Sequence, residues 1–282
     1  MPALNADPLQ PLVDKARSGD AAAAEALVRE LADPLYRLAL RMTATPADAE
    51  DATQEILVKA LTRLASFRGE SSVLTWAWRI AVRHLLDMKK SRVEALSLDF
   101  ERFGADLLDG LADVGAEGRE EAEEVKLGCS LAMLTCLDRE HRIAFLLAEV
   151  FDLPNDHAAE IAGVSEPAYR QRLSRAQRKV EAFTRAYCGV VNEQAPCRCD
   201  RRVARALELG RLARGSFPLA RHARVEAAKH VKEMEALHDT ARLFRSHPEY
   251  RAPEALARRI RELLDARVDG GGGGNRFRAG NG

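Results

Sequence analysis

Apolar residues recur at the helical period along nearly the whole chain, and strand-like alternation is scarce, so the pattern predicts an all-α protein. A long apolar-periodic stretch covers residues 20–44 and contains Pro34, which predicts a bend or a break there. A second helix starts cleanly. Thr45 is placed to cap it, Pro46 takes the first helical position, and Asp48, Glu50 and Asp51 lie where the helix dipole favours acids. It is expected to run to about Phe67. The polar run from Arg68 to Ser72 reads as a loop, and a third helix is expected from Val73 to Arg92.

From Val93 to Glu124 the apolar content thins, glycines recur and acids accumulate, which reads as a linker. Periodicity resumes at Val125 and gives three helical stretches up to Tyr187, broken at Asp152 to Asn155 and at Gly163 to Ser165. A basic segment with Cys188, Cys197 and Cys199 follows, then a long amphipathic helix from Ala220 to Arg245 and a shorter one from Pro253 to Arg267. The long helix carries Val225, Ala228, Val231, Met234, Leu237, Ala241 and Phe244 along one stripe. The expected units are therefore residues 1–92, a linker at 93–125, a unit at 126–186, a helical extension at 187–267 and a glycine-rich tail at 268–282.

Two helices separate an apolar stripe from a cationic face. Residues 156–183 read as a helix-turn-helix, with Ser165 as a cap and Pro167 near the start of the second helix. Tyr169, Leu173, Ala176, Val180 and Phe183 share one stripe of that helix, so Arg170, Gln171, Ser174, Arg175 and Arg178 face outward, with Arg172 and Lys179 on the flanks. Taken alone this is as easily a solvated basic helix, but Pro167 to Val180 holds five cations and no acid. In the third helix Leu74, Trp78, Ala81, Val82 and Leu85 form the buried stripe, while Trp76, Arg83, His84, Asp87 and Lys90 lie away from it. An exposed Trp beside cations suits an unpaired base, although a lone Trp more often serves packing. His84 reads as an ordinary polar-face residue. On the second helix Asp48, Asp51 and Glu55 share a face, explained by the helix dipole or by a basic protein partner.

Net charge is zero, so any nucleic-acid case rests on local faces. The charge is partitioned: residues 93–125 carry 2 basic against 11 acidic side chains. Neither a leader nor a membrane-spanning run is present, which points to the cytoplasm and to reduced cysteines. Cys129 and Cys136 lie among leucines and read as small core residues.

The stretches LYRLALRMTATPADAEDATQEILVKAL, FRGESSVLTWAWRIAVRHLLD and LTCLDREHRIAFLLAEVFDLPNDHAAEIAGVSEPAYRQRLSRAQRKV, in this order around an acidic linker, resemble the extracytoplasmic-function (ECF) sigma factors of bacterial RNA polymerase. The resemblance covers residues 20–92 and 126–184. It implies that 1–92 is a helical sigma domain two and 126–186 a helix-turn-helix domain four, in a DNA-binding specificity subunit that binds core polymerase and directs promoter-specific initiation. Asp48, Asp51, Gln54 and Glu55 would then meet the clamp of the β′ subunit, and domain four the flap of the β subunit. The loop Arg68, Gly69, Glu70, Ser71 and Ser72 would receive a flipped promoter base. Trp76, Arg79, Arg83, Asp87 and Lys90 would hold the minus-ten strand. Ser165, Arg170, Gln171, Arg172, Ser174, Arg175 and Arg178 would read the minus-thirty-five element.

Three departures bear on specificity. Arg83 stands where the family commonly has Asn, Glu166-Pro167-Ala168-Tyr169 replaces the usual small residues, and Gln171 replaces a common Ser. The promoter sequence therefore does not carry over from relatives. The extension after Tyr187 is also unusual and reads as a regulatory module. Zinc or another soft metal at Cys188, Cys197 and Cys199, with His222 or His230 as a fourth ligand, is one expectation for it, and an anti-sigma protein is a further candidate partner. The competing reading is a one-component helix-turn-helix regulator with an effector-sensing C-terminal domain. It leaves residues 1–92 and the acidic linker without purpose. No phosphate-cradling glycine loop or nucleophile elbow supports an enzyme.

Overall fold

The computed structural model describes residues 7–112, 118–220 and 239–269. Helices account for its architecture, and among the described residues the only β-pairing is two isolated bridges. The first half contains α1 (Gln10–Arg17), α2 (Ala21–Thr43), α3 (Pro46–Thr62) and α4 (Val73–Asp87). Asp20 starts α2 by accepting from the amides of Ala22 and Ala23. Of the bend or break expected at Pro34, the break does not occur, and α2 runs through it as one helix. Leu27, Leu31, Leu35 and Leu38, all buried, straddle the proline and pack against neighbouring helices, so tertiary burial outweighs the missing hydrogen bond.

Two helices end earlier than the pattern predicts. The α3 helix stops at Thr62 and continues only as a short 3-10 turn at Leu64–Ser66. The α4 helix stops at Asp87 because side chains take over its end: Arg139 donates to the carbonyls of Leu86 (3.0 Å), Met88 (2.6 Å) and Lys89 (3.0 Å). Beyond it, the amides of Ser91 and Arg92 go to Glu94 (2.9 Å) and Asp48 (3.1 Å).

The expected linker is more structured than its composition suggests. It contains α5 (Phe100–Leu108), capped by Asp99, and α6 (Arg119–Leu134) begins within it, seven residues before the expected boundary at Lys126. Phe100 and Phe103 lie against Phe183 at centroid distances of 5.3 and 5.5 Å, so aromatic burial fixes what charge counting reads as solvated.

The second half adds α7 (Arg139–Phe145), which widens into a π-turn at Leu146–Val150, then α8 (Asn155–Ala162) and α9 (Glu166–Tyr187). Gly163 turns between α8 and α9 at φ 69°, a conformation that favours glycine. The extension contributes α10 (Val203–Glu208), α11 (Asp239–Arg245) and α12 (Ala255–Asp269). Of the long helix expected from Ala220 to Arg245, residues 221–238 lie outside the described residues, with Val225, Ala228, Val231, Met234 and Leu237. Its last part is α11, where Ala241 and Phe244 are buried as the stripe requires. One apolar core runs through both halves and takes in Leu243, Phe244, Tyr250, Leu256 and Ile260 of the extension.

Candidate nucleic-acid interface

The α9 helix separates its faces as its sequence dictates. Tyr169, Leu173, Ala176, Val180 and Phe183 are buried, and the Tyr169 hydroxyl donates to the carbonyl of Ala144 at 2.8 Å. Arg170, Gln171, Ser174, Arg175 and Arg178 are exposed, with Arg170 paired to Glu166 one turn back. Arg172 is half-buried and bound to Glu140 at 2.9 Å, so it orients the helix more than it offers itself to a groove. Ser165 occupies the N-cap position, but its side chain makes no capping hydrogen bond.

The α4 face is built by capping and stacking. Ser72 accepts from the amide of Thr75 at 3.0 Å, and its hydroxyl lies 2.8 Å from that of Thr75. Arg68, Gly69, Glu70 and Ser72 are exposed and Ser71 half-buried; Arg79, Arg83, Asp87 and Lys90 are exposed as well. Trp76 is half-buried, not free, because its ring lies 5.4 Å from that of Phe67. Together Arg63, Phe67, Arg68, Trp76, Arg79 and Arg83 line a cleft of about 360 Å³ beside the loop. Four guanidinium groups around two aromatic side chains can hold an unpaired base and its phosphates. Arg63 is the residue the sequence reading misses; its place one turn before the loop is the only signal for it.

His84 corrects an expectation. It is buried, with Nδ1 2.6 Å from Lys59 Nζ and Nε2 3.8 Å from Glu55. Burial and then the Lys59 charge lower its pKa, so the ring stays neutral and accepts from Lys59. On α3, Asp51 and Glu55 are exposed and Gln54 half-buried. Asp48 is committed to structure: its carboxylate accepts from the Thr45 hydroxyl at 2.8 Å and from the Arg92 amide at 3.1 Å.

The two halves are joined by buried charge. Arg142 donates to Glu94 at 2.9 Å and to the carbonyls of Leu134 (2.8 Å) and Leu137 (2.9 Å), and Arg139 holds the second oxygen of Glu94 at 2.6 Å. Burial would raise the Glu94 carboxyl, but the Arg139 hydrogen bond, the Ser91 amide and the two arginine charges outweigh it and hold the pKa down at about 2. Closer to the interface, α8 lies against α4: Arg79 pairs with Glu160 at 3.2 Å, and the rings of Trp78 and Phe151 stand edge-on at 5.0 Å.

In the extension, Cys188 and Cys197 sit opposite each other in a parallel bridge, closed by Gly189 N–H to Cys197 (3.0 Å) and Cys197 N–H to Tyr187 (3.1 Å). Cys129, Cys197 and Cys199 share the wall of an apolar cavity of about 380 Å³, and Cys129 packs against the apolar core as expected. Burial and then neighbouring thiols push Cys197 up to about 11 and Cys199 up to about 12, and Cys129 is raised well above the ordinary range. Among the described residues no three His, Cys, Asp or Glu side chains are grouped to hold a metal. His222 and His230 lie outside the described residues.

The chain matches the Sigma-70 region 2 model over residues 27–94 and the Sigma-70 region 4 model over residues 127–180. It is 30% identical to the ECF RNA polymerase sigma factor SigE of Mycolicibacterium smegmatis, over 59% of this chain and 64% of that one, so it spans just under two thirds of that relative. It is 29% identical to the ECF RNA polymerase sigma-E factor of Haemophilus influenzae, over 61% of this chain and 93% of that one. Among solved structures, the sigma factor RpoE of Bartonella quintana, crystallised with the anti-sigma factor NepR, is 19% identical with a TM-score of 0.33, covering 61% of this chain and 98% of that one. The chain thus carries a Sigma-70 region 2 followed by a Sigma-70 region 4 and is similar, across both, to ECF sigma factors of RNA polymerase.

Proposed function

We propose that this chain binds core RNA polymerase and directs promoter-specific initiation, as a specificity subunit and not an enzyme, and that its C-terminal extension adjusts that activity. The observation that carries the reading is the presence in one chain of two DNA-facing helices of different design. The α4 helix borders a cleft of arginines and a Trp suited to an unpaired strand, and α9 ends a helix-turn-helix suited to the major groove. A duplex-reading regulator needs only the second.

In this reading Asp51, Glu55 and Gln54 of α3 meet the β′ clamp, Arg68 to Ser72 with Trp76, Arg79 and Arg83 handle the minus-ten strand, and Arg170, Gln171, Ser174 and Arg175 read the upstream element. Asp87 and Lys90 extend the α4 face, and Arg178 supplies a phosphate contact. The cytoplasm is the compartment this activity requires, and among the described residues no helix is long and apolar enough to cross a membrane. An anti-sigma partner and a soft metal at Cys188, Cys197 and Cys199 belong to the same proposal; among the described residues these thiols are not grouped around a metal position, so holding one would require them to move together and lose their protons.

Fluorescence anisotropy of labelled promoter duplex tests it. The chain alone should bind weakly, and adding core polymerase should raise affinity by orders of magnitude. Tight binding to one duplex site without polymerase would favour the regulator.

A further inference from the structure

We propose that residues 240–260 form a latch that holds region 4 closed against region 2, and that the molecule must release it to occupy a promoter; this rests on the reading of the chain as a sigma factor. The latch touches both halves within twenty residues. On the region 4 side, Phe244 is buried edge-on against Phe145 at 5.3 Å, and Thr240 meets Thr184 at 3.0 Å. Arg245 donates to the carbonyl of Glu149 at 2.6 Å and pairs with Asp152 at 2.9 Å. His247 Nε2 lies 2.7 Å from the Ser130 hydroxyl, both side chains buried. The chain then crosses to region 2. Arg37 donates to the carbonyl of Tyr250 at 3.2 Å, Asp33 accepts from the amide of Ala252 at 2.8 Å, and α12 lies on α2 and α3 with Arg259 3.6 Å from Glu50.

The closed arrangement cannot serve a promoter. Here α8, the first helix of the helix-turn-helix, rests directly on α4, and Glu160 occupies Arg79. The α12 helix also sits on α3 with Arg259 beside Glu50, next to Asp51, so a polymerase clamp docked on Asp51 and Glu55, which stay exposed, would lie beside the latch.

Arg41 makes the latch releasable. It belongs to region 2, is 5% exposed, and no described carboxylate lies within ion-pair distance of it. Its guanidinium lies instead 5.4 Å from the centre of the Tyr250 ring of the latch and 5.7 Å from that of Phe151 in region 4. Burial lowers its pKa to about 10, with Tyr250 opposing that shift and Arg37 adding to it. A cation without a carboxylate regains water when the halves part, so the same residue that the two rings clasp also favours opening. The closed state is thus tightly packed yet electrostatically biased toward release.

Removing the ring and removing the cation must therefore act in opposite directions. Full-length Tyr250→Ala and Arg37→Ala should increase the radius of gyration in small-angle X-ray scattering and tighten core polymerase binding by at least about fivefold, the lower range of coupling between sites. Arg41→Met should leave the radius at or below the wild-type value and weaken polymerase binding. Arg37 is partly exposed, so Arg37→Ala keeps the test valid if circular dichroism shows Tyr250→Ala unfolded. Equal radii in all proteins, or the same direction of change in Tyr250→Ala and Arg41→Met, would overturn the latch. If no form, wild type included, binds core polymerase, the sigma reading fails while scattering still decides the latch.

Discussion

The Thr75 hydroxyl and His157 Nε2 lie 2.9 Å apart, joining the first turn of α4 to α8 across the boundary between region 2 and region 4. This bond and the Arg79–Glu160 pair cover part of the surface proposed for the minus-ten strand. Engagement of polymerase is expected to separate the helices. Hydrogen exchange across residues 155–162 should therefore speed up in the assembled enzyme. Unchanged protection there would mean that α4 and α8 stay together.

Glu94→Gln is expected to destabilise the fold by about 3 kcal/mol in urea unfolding, the low end for breaking a buried pair, because Arg142 keeps its carbonyl partners. The sign of the pH effect follows from the depressed pKa. Glu94 contributes fully above its ordinary 4.5, and the contribution is lost as pH falls through about 2. Wild type should lose stability over that window more steeply than Glu94→Gln, and parallel curves would contradict the pairing.

The side of α3 proposed to face polymerase is best tested at Asp51 and Glu55, whose side chains are exposed. Reversing both to Lys should weaken core binding at least about tenfold, or ~1.4 kcal/mol, with little effect on melting. Asp48→Lys should lower the melting temperature as well, since Asp48 holds Thr45 and Arg92. Wild-type affinity in the double reversal would remove this face from the interface.

Substitutions at Arg175 and Arg178 are expected to separate base reading from backbone holding. Arg175→Ala should cost about 1–3 kcal/mol on the preferred upstream element and relax one base position. Arg178→Ala should weaken all sequences alike and lower the salt dependence by about one contact. Identical sequence profiles for wild type and Arg175→Ala would count against direct reading.

The faces of α4 and α9 were legible because stripes such as Tyr169, Leu173, Ala176, Val180 and Phe183 leave one burial solution for a helix. Helix ends were less so. The stop of α4 at Asp87 depends on Arg139, fifty residues away, and no local signal announces it. Pro34 does not break α2 because the leucines on both sides of it are buried, which propensity alone does not weigh. The acidic linker reads as solvated by charge, yet Phe100 and Phe103 fold part of it onto α9. That the extension is a helical module was legible, but the Arg41–Tyr250 contact was not, since the two residues lie more than two hundred positions apart.

Transcription in vitro with core RNA polymerase and fragments of the source genome tests the account most directly. The account predicts that adding the full chain produces discrete transcripts that start at a fixed distance downstream of shared upstream and minus-ten elements, and that core enzyme alone does not. Absence of chain-dependent transcripts, with tight binding of the chain to duplex sites by itself, would contradict it.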